Sequence, residues 1–224
     1  MKKSARSVGM TLGAVAMLTF WGNYDQTGFA ATSEPQKVST LTYHDEWRKL
    51  WEDHITWTRV VIMGVLDALP GTPEYTARLL QNPGDMAAAL QPYYGISATE
   101  LGDLIKQHLV IAAQVLVDAK AGDTTALNTD VSRWYANGHD IAVKMGAMNP
   151  KYWPLSMGDP MWKQHLDVTL AEATDHLMAN YSGEVAAYDQ VHDLALQMAD
   201  FFSNGVLQQF RGAFSGPKNE SRHN

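Results

Sequence analysis

The sequence predicts an all-α protein: a six-helix up-down bundle of three helical hairpins, with the second helix broken at Asn82-Pro83. Three observations predict it. Apolar residues recur at three- and four-residue steps through most of the chain, the period of a helix with one buried face. No run of alternating apolar and polar residues marks a strand. Gly, Pro, Asn and Asp cluster at a few points between the periodic segments, where helices stop and restart.

The elements follow in order. Trp47, Leu50, Trp51, His54, Trp57, Thr58, Val61 and Val65 form one stripe of a first helix, which "LPGTP" (69–73) stops. "EYTARLLQ" begins the second, interrupted at "NPGD" (82–85). There Asn82 is expected to cap, Pro83 to take the first helical position and Asp85 to favour the new N-terminus. "QPYYG" (91–95) ends it. Ser97 and Glu100 have the spacing of a capping box at the head of a third helix. Its stripe runs Leu101, Leu104, Ile105, His108, Ile111, Ala112, Val115, Ala119, and Gly122 is its expected C-terminal residue. "RWYANGHDIAVKM" carries the fourth helix, ending before "NPKYWP". Asp159-Pro160 is expected to cap the fifth, with Trp162, His165, Val168, Thr169, Glu172 and His176 near one face. Ser182 is expected to cap the sixth.

Residues 1–30 read as a signal peptide. Lys2, Lys3 and Arg6 precede an apolar run of about fourteen residues, and small residues near Ala30 offer cleavage sites. A membrane span takes about twenty residues, so no stable span is expected in the mature chain. The expected organisation is then a flexible leader (31–42), a helical bundle domain (43–212) and a disordered tail (213–224), in a protein secreted or held in the cell envelope. With no cysteine, stability outside the cell rests on packing, to which seven Trp and nine Tyr contribute. A formal charge of −7 and scattered basic residues argue against a nucleic-acid partner. A monomer or weak dimer is expected. Phosphate-binding glycine loops, a G-x-S-x-G elbow and H-E-x-x-H are all missing from the sequence.

A repeat runs through the helices. "WEDHI" (51–55), "IKQHL" (105–109) and "WKQHL" (162–166) place His54, His108 and His165 at the same point of three pentapeptides. "RLLQNPGDMA" (78–87) and "RWYANGHDIA" (133–142) share Arg, Asn and Asp at matching offsets, and "GHDIAVKM" (138–145) resembles "VHDLALQM" (191–198). Each histidine helix is thus followed by a helix carrying Asp: Asp85, Asp140 and Asp193. The pattern reads as three hairpins of a divergent triplication.

A histidine in an apolar stripe needs a partner, because burying its ring unsatisfied costs about 1–3 kcal/mol. Two readings answer that need. In one, the rings converge on a divalent metal, zinc, iron or manganese. His54, His108, His165 and His192 then supply nitrogens, and Asp85, Asp140, Glu172 and Asp189 supply carboxylates. Asp189 and His192 stand at i, i+3, and His165 and Glu172 lie two turns apart on one face, the spacings by which helix bundles build carboxylate–histidine metal sites. In the other, each hairpin holds its own structural His–Asp pair. An enzyme or small-ligand binder using a metal-free interior lined by His and Trp is the alternative function. Arg59 is read as an anion clamp or a surface ion pair, and His44, His139 and His176 as partly exposed.

The stretches "HITWTR" (54–59), "RLLQNPGDMAAALQPYYG" (78–95), "QHLVIAAQVLVDAKAGD" (107–123), "WYANGHDIA" (134–142) and "YDQVHDLALQMAD" (188–200) together resemble an uncharacterised family of small helical proteins of Gram-positive bacteria. Its members often carry automatic labels such as glycosyltransferase or acetylglutamate kinase. The resemblance implies the helical fold and supplies no catalytic residues. An all-α chain lacks the strand ends on which such transferases and kinases cradle phosphate.

Overall fold

The computed structural model describes residues 37–216; the expected signal peptide lies outside the described residues. Seven α-helices account for nearly all of the described chain: α1 Thr40–Leu66, α2 Thr72–Leu79, α3 Asn82–Tyr94, α4 Ile96–Ala121, α5 Thr124–Met148, α6 Leu155–Leu177 and α7 Tyr181–Gln209. Helices α2 and α3 are the two halves of the broken second helix. Helices α3 to α7 each pack on the next in sequence, α2 packs on α1, α1 also packs on α7, and α1 touches α3, α4 and α6. Helices α1, α4 and α6 carry the three pentapeptides, and their histidine faces meet in the interior. Among the described residues no helix is long and apolar enough to cross a membrane.

Most helix ends sit where their local chemistry places them. Ser39 caps α1 by accepting from the Thr42 amide at 3.0 Å, and Asp123 caps α5 by accepting from Ala126 at 3.0 Å. Gly122 ends α4 with φ +70, a conformation that costs glycine little. Four expected caps are corrected. Helix α4 begins at Ile96 behind Gly95 (φ +55), while Ser97 and Glu100 both turn to Lys144 of α5. Helix α6 begins at Leu155, so Pro160 lies within it and Asp159 binds His139 instead. The α7 cap is Asn180, with Ser182 already inside the helix. Helix α3 is preceded by Gln81, which frees the Asn82 side chain for the core.

The expected leader and tail meet. Val38–Ser39 (β1) pair in parallel with Phe214–Ser215 (β2), Val38 opposite Phe214. The order comes from Phe214, whose buried ring stacks on Tyr93 at 5.2 Å and packs on Tyr43 at 5.0 Å. In the main core Trp153 inserts its indole against α7, where a Cβ on Gly205 would meet its Nε1 at 1.9 Å. The Trp153 N–H donates to the Phe201 carbonyl at 2.9 Å. A second, smaller apolar cluster joins Val61 and Ile62 of α1, Leu79 of α2, Leu109 and Leu116 of α4 and Ala173 of α6.

Candidate functional site

His54, His108 and His165 are each at most 2% exposed and form one layer across α1, α4 and α6. The His165 ring lies between the other two, its centroid 5.8 Å from His54 and 6.2 Å from His108. Tryptophans close the layer. Trp51 lies 5.2 Å from His54, Trp134 lies 5.2 Å from His108, and Trp162 lies 5.5 Å from His108 and 5.8 Å from His165.

Two of the rings are held by asparagine, not aspartate. His54 Nδ1 donates to Asn82 Oδ1 at 2.9 Å, and the Asn82 amide donates to the Leu50 carbonyl at 2.9 Å. His108 Nδ1 donates to Asn137 Oδ1 at 2.9 Å, and Asn137 donates to the Leu104 carbonyl at 3.2 Å. In both cases that carbonyl belongs to the residue one helical turn before the histidine. One amide therefore saturates a ring and a helix carbonyl, and its donor end fixes its acceptor end towards the ring. The histidine then carries its proton on Nδ1 and presents an Nε2 lone pair.

The expected partners Asp85, Asp140 and Asp193 are all exposed, which overturns the His–Asp pairing. Three residues along a helix turn a side chain by about 60° and carry it about 4.5 Å along the axis. That is enough to move Asp85 and Asp140 from the buried face that Asn82 and Asn137 occupy to the solvent edge. Around Asp193, Gln190 precedes the aspartate by the same three residues. It is exposed and donates to the Ala186 carbonyl, so His165 receives no amide.

Several buried polar atoms of the layer have no partner: His108 Nε2, His165 Nδ1, and the indole N–H groups of Trp51 and Trp134. Burial pushes the His54 ring down to about 4, against the pull of Asn82. Burial and the neighbouring His54 push His108 down to about 3. Burial, with both neighbouring rings, holds His165 well below the ordinary range. The layer is polar but uncharged at neutral pH.

Above it runs a narrow apolar cleft with about 40 Å³ of space for water-sized occupants. Thr58, Ala112 and Thr169 line it, and each stands four residues after one of the three histidines. The histidine layer is thus one helical turn below. Trp134 forms part of the wall, and no charged side chain does.

The carboxylates lie elsewhere. Glu172, 1% exposed, accepts from Arg59 at 2.8 Å, and Glu184 accepts from the same guanidinium at 2.7 Å. Burial pushes the Glu172 carboxyl up to about 7 although Arg59 pulls the other way. The Arg59 guanidinium also lies over the Tyr188 ring at 4.4 Å. His176, expected to be partly exposed, is buried and bridges Glu184 at 3.0 Å and Asp67 at 3.2 Å. Burial lowers its pKa, but the bonds to Glu184 and Asp67 outweigh that and raise it above the ordinary value. His192 is 42% exposed at its side chain, 3.7 Å from Glu52, and Asp189 faces solvent.

The eight expected metal ligands are therefore dispersed: three rings in the layer, Glu172 on Arg59, and the other four at the surface. Among the described residues no group of three or more His, Asp or Glu side chains is arranged to hold a metal ion. Sequence reasoning missed Asn82, Asn137, Glu184 and the burial of His176. The asparagines were signalled by the offset shared between "RLLQNPGDMA" and "RWYANGHDIA". Fold and site define an all-α bundle with a neutral histidine layer beneath an apolar cleft. No protein-family model, curated protein or solved structure matches the chain.

Proposed function

We propose that this is an exported small-ligand-binding bundle whose metal-free interior, the cleft and the histidine layer below it, receives the ligand. One observation carries the reading: the layer keeps four buried ring nitrogens without partners beside a cleft that opens to solvent. Each such atom costs about 1–3 kcal/mol unless something satisfies it. A structural layer alone gains nothing by leaving His165 without the amide that serves the other two. Xenon is a suitable first probe because the space is small and its wall is almost wholly apolar. Saturable binding that raises the melting temperature is expected, lost in Ala112→Phe with helicity unchanged. Failure of xenon to bind, or equal binding by the variant, overturns the proposal.

A divalent cation, zinc, iron or manganese, is the competing occupant. It is supported by the Nδ1–H···Oδ1 bonds, which leave Nε2 of His54 and His108 as free lone pairs, the state in which histidine binds metals. Equilibrium dialysis against zinc separates the two. Near-stoichiometric retention, lost in a His108→Gln/His165→Gln double variant, supports the cation; zinc-free protein whose melting temperature ignores chelator removes it. Export is tested by N-terminal sequencing of protein recovered outside the cell, with cleavage expected near Ala30.

A further inference from the structure

His176 meets a carboxylate at each ring nitrogen. Nδ1 donates to Glu184 Oε2 of α7 at 3.0 Å, and Nε2 donates at 3.2 Å to Oδ1 of Asp67, the residue that caps the end of α1. A neutral imidazole carries a single N–H, so the two bonds together require the imidazolium. The two acceptors differ. Glu184 is buried and held from its other side by Arg59, whereas the Asp67 side chain is 52% exposed. When the proton leaves, the remaining N–H stays with the buried carboxylate, which has no water to turn to, and a lone pair is left facing Asp67.

The Asp67 bond joins two strained helix ends. At the end of α1 the Leu69 N–H donates to the Gly64 carbonyl at 2.9 Å and the Ala68 N–H to Val65 at 3.3 Å. At the end of α6 the Asn180 N–H donates to Asp175 at 2.8 Å and the Ala179 N–H to His176 at 3.0 Å. Each is a turn whose central residue is left-handed, the place that Gly122 takes at the end of α4. Here alanines hold it, Ala68 at φ +56 and Ala179 at φ +55. Ala68 and Leu69 also wall an open groove with Val117 and Ala121 of α4. Around this corner Glu172 sits on the other arm of Arg59, and Asp175 accepts from the Asn180 side chain. Lys120 of α4 donates to the Val65 carbonyl at 2.7 Å, and the Tyr181 ring lies 6.0 Å from His176.

We infer that His176 is a proton-dependent clasp: as the imidazolium it fastens the α1–α2 corner, residues 67–71, to the α6–α7 corner, and on losing its proton it releases Asp67 and lets the strained α1–α2 corner open. The direction follows from linkage. Burial lowers the His176 pKa, but the bonds to Glu184 and Asp67 raise it by more. The clasp is therefore complete below the ordinary value of 6.5 and is lost as the pH rises through the raised one.

The test follows the full chain by NMR from about pH 5.5 to 9, reading the His176 ring and the exchange of the Leu69 amide corrected for its intrinsic rate. The ring is expected to titrate above 6.5, and Leu69 protection to fall about fivefold over the same titration, the effect of an ion pair with one exposed partner. Glu172 also titrates, at about 7, so Asp67→Asn, which leaves Arg59 and Glu172 in place, isolates the clasp. In that variant Leu69 protection is expected to be independent of pH. A His176 ring that titrates at or below 6.5, Leu69 protection that ignores the titration, or an Asp67→Asn variant with the wild-type profile overturns the inference.

Discussion

Asn82 holds His54 and Asn137 holds His108 at the same 2.9 Å, each across two helices and each returning its amide to a carbonyl one turn before the ring. The device joins α1 to α3 and α4 to α5 without burying a charge.

Removing the amide should be costly, and removing the neighbouring aspartates should not. Asn137→Ala strands the His108 Nδ1–H and the Leu104 carbonyl, so a loss of about 2–4 kcal/mol is expected from urea unfolding. Asn82→Ala should behave alike. Asp85→Ala and Asp140→Ala, at exposed positions, should stay within about 0.5 kcal/mol of wild type. The reverse ranking would restore the His–Asp pairing.

The histidine layer predicts acid lability. The folded rings titrate at about 4 for His54 and about 3 for His108, below the ordinary value of 6.5. The unfolded chain therefore binds more protons once the pH falls below 6.5. Each ring's contribution is complete above that value and fades at about 1.4 kcal/mol per pH unit below it. Glu172 opposes this: raised from 4.5 to about 7, it loses stability as pH rises through that window. The three rings outnumber it, so the unfolding free energy should climb from pH 4.5 to 6.5. His176, raised by its carboxylates, adds a shallow decline above that. Urea titrations across pH 4.5–8 check the shape, and His108→Gln should flatten the rising limb.

Arg59 neutralises two carboxylates that have almost no contact with water. Arg59→Met leaves Glu172 and Glu184 without it, and a loss of about 3–5 kcal/mol is expected in thermal or urea unfolding. Adding Glu172→Gln should recover part of that loss, because one buried charge is gone. If the double variant is no more stable than Arg59→Met, burial of Glu172 is not the source of the cost.

Gly205 gives Trp153 its place. A methyl there overlaps the indole, so Gly205→Ala should lower the melting temperature by the amount that about 1–3 kcal/mol of overpacking causes. Trp153→Phe in the same background should relieve the overlap, although it gives up the bond to the Phe201 carbonyl.

By itself the sequence determined the all-α class, the break at "NPGD", the stop at Gly122 and the burial of three histidines. These are local consequences of 3.6-residue periodicity and of backbone preferences at Gly, Pro and Asn. The tertiary structure decided who meets whom. A histidine in an apolar stripe signals that it needs a partner, but Asn82 and Asp85 lie only three residues and about 60° apart on one helix, and only the packing of α3 on its neighbours selects the amide. The sequence leaves His176 partly exposed; in the fold it is buried, with Glu184 of α7 and Asp67 at the end of α1 bonded to its ring. The cleft above the layer depends in the same way on five helices at once, so no single stretch of residues announces it.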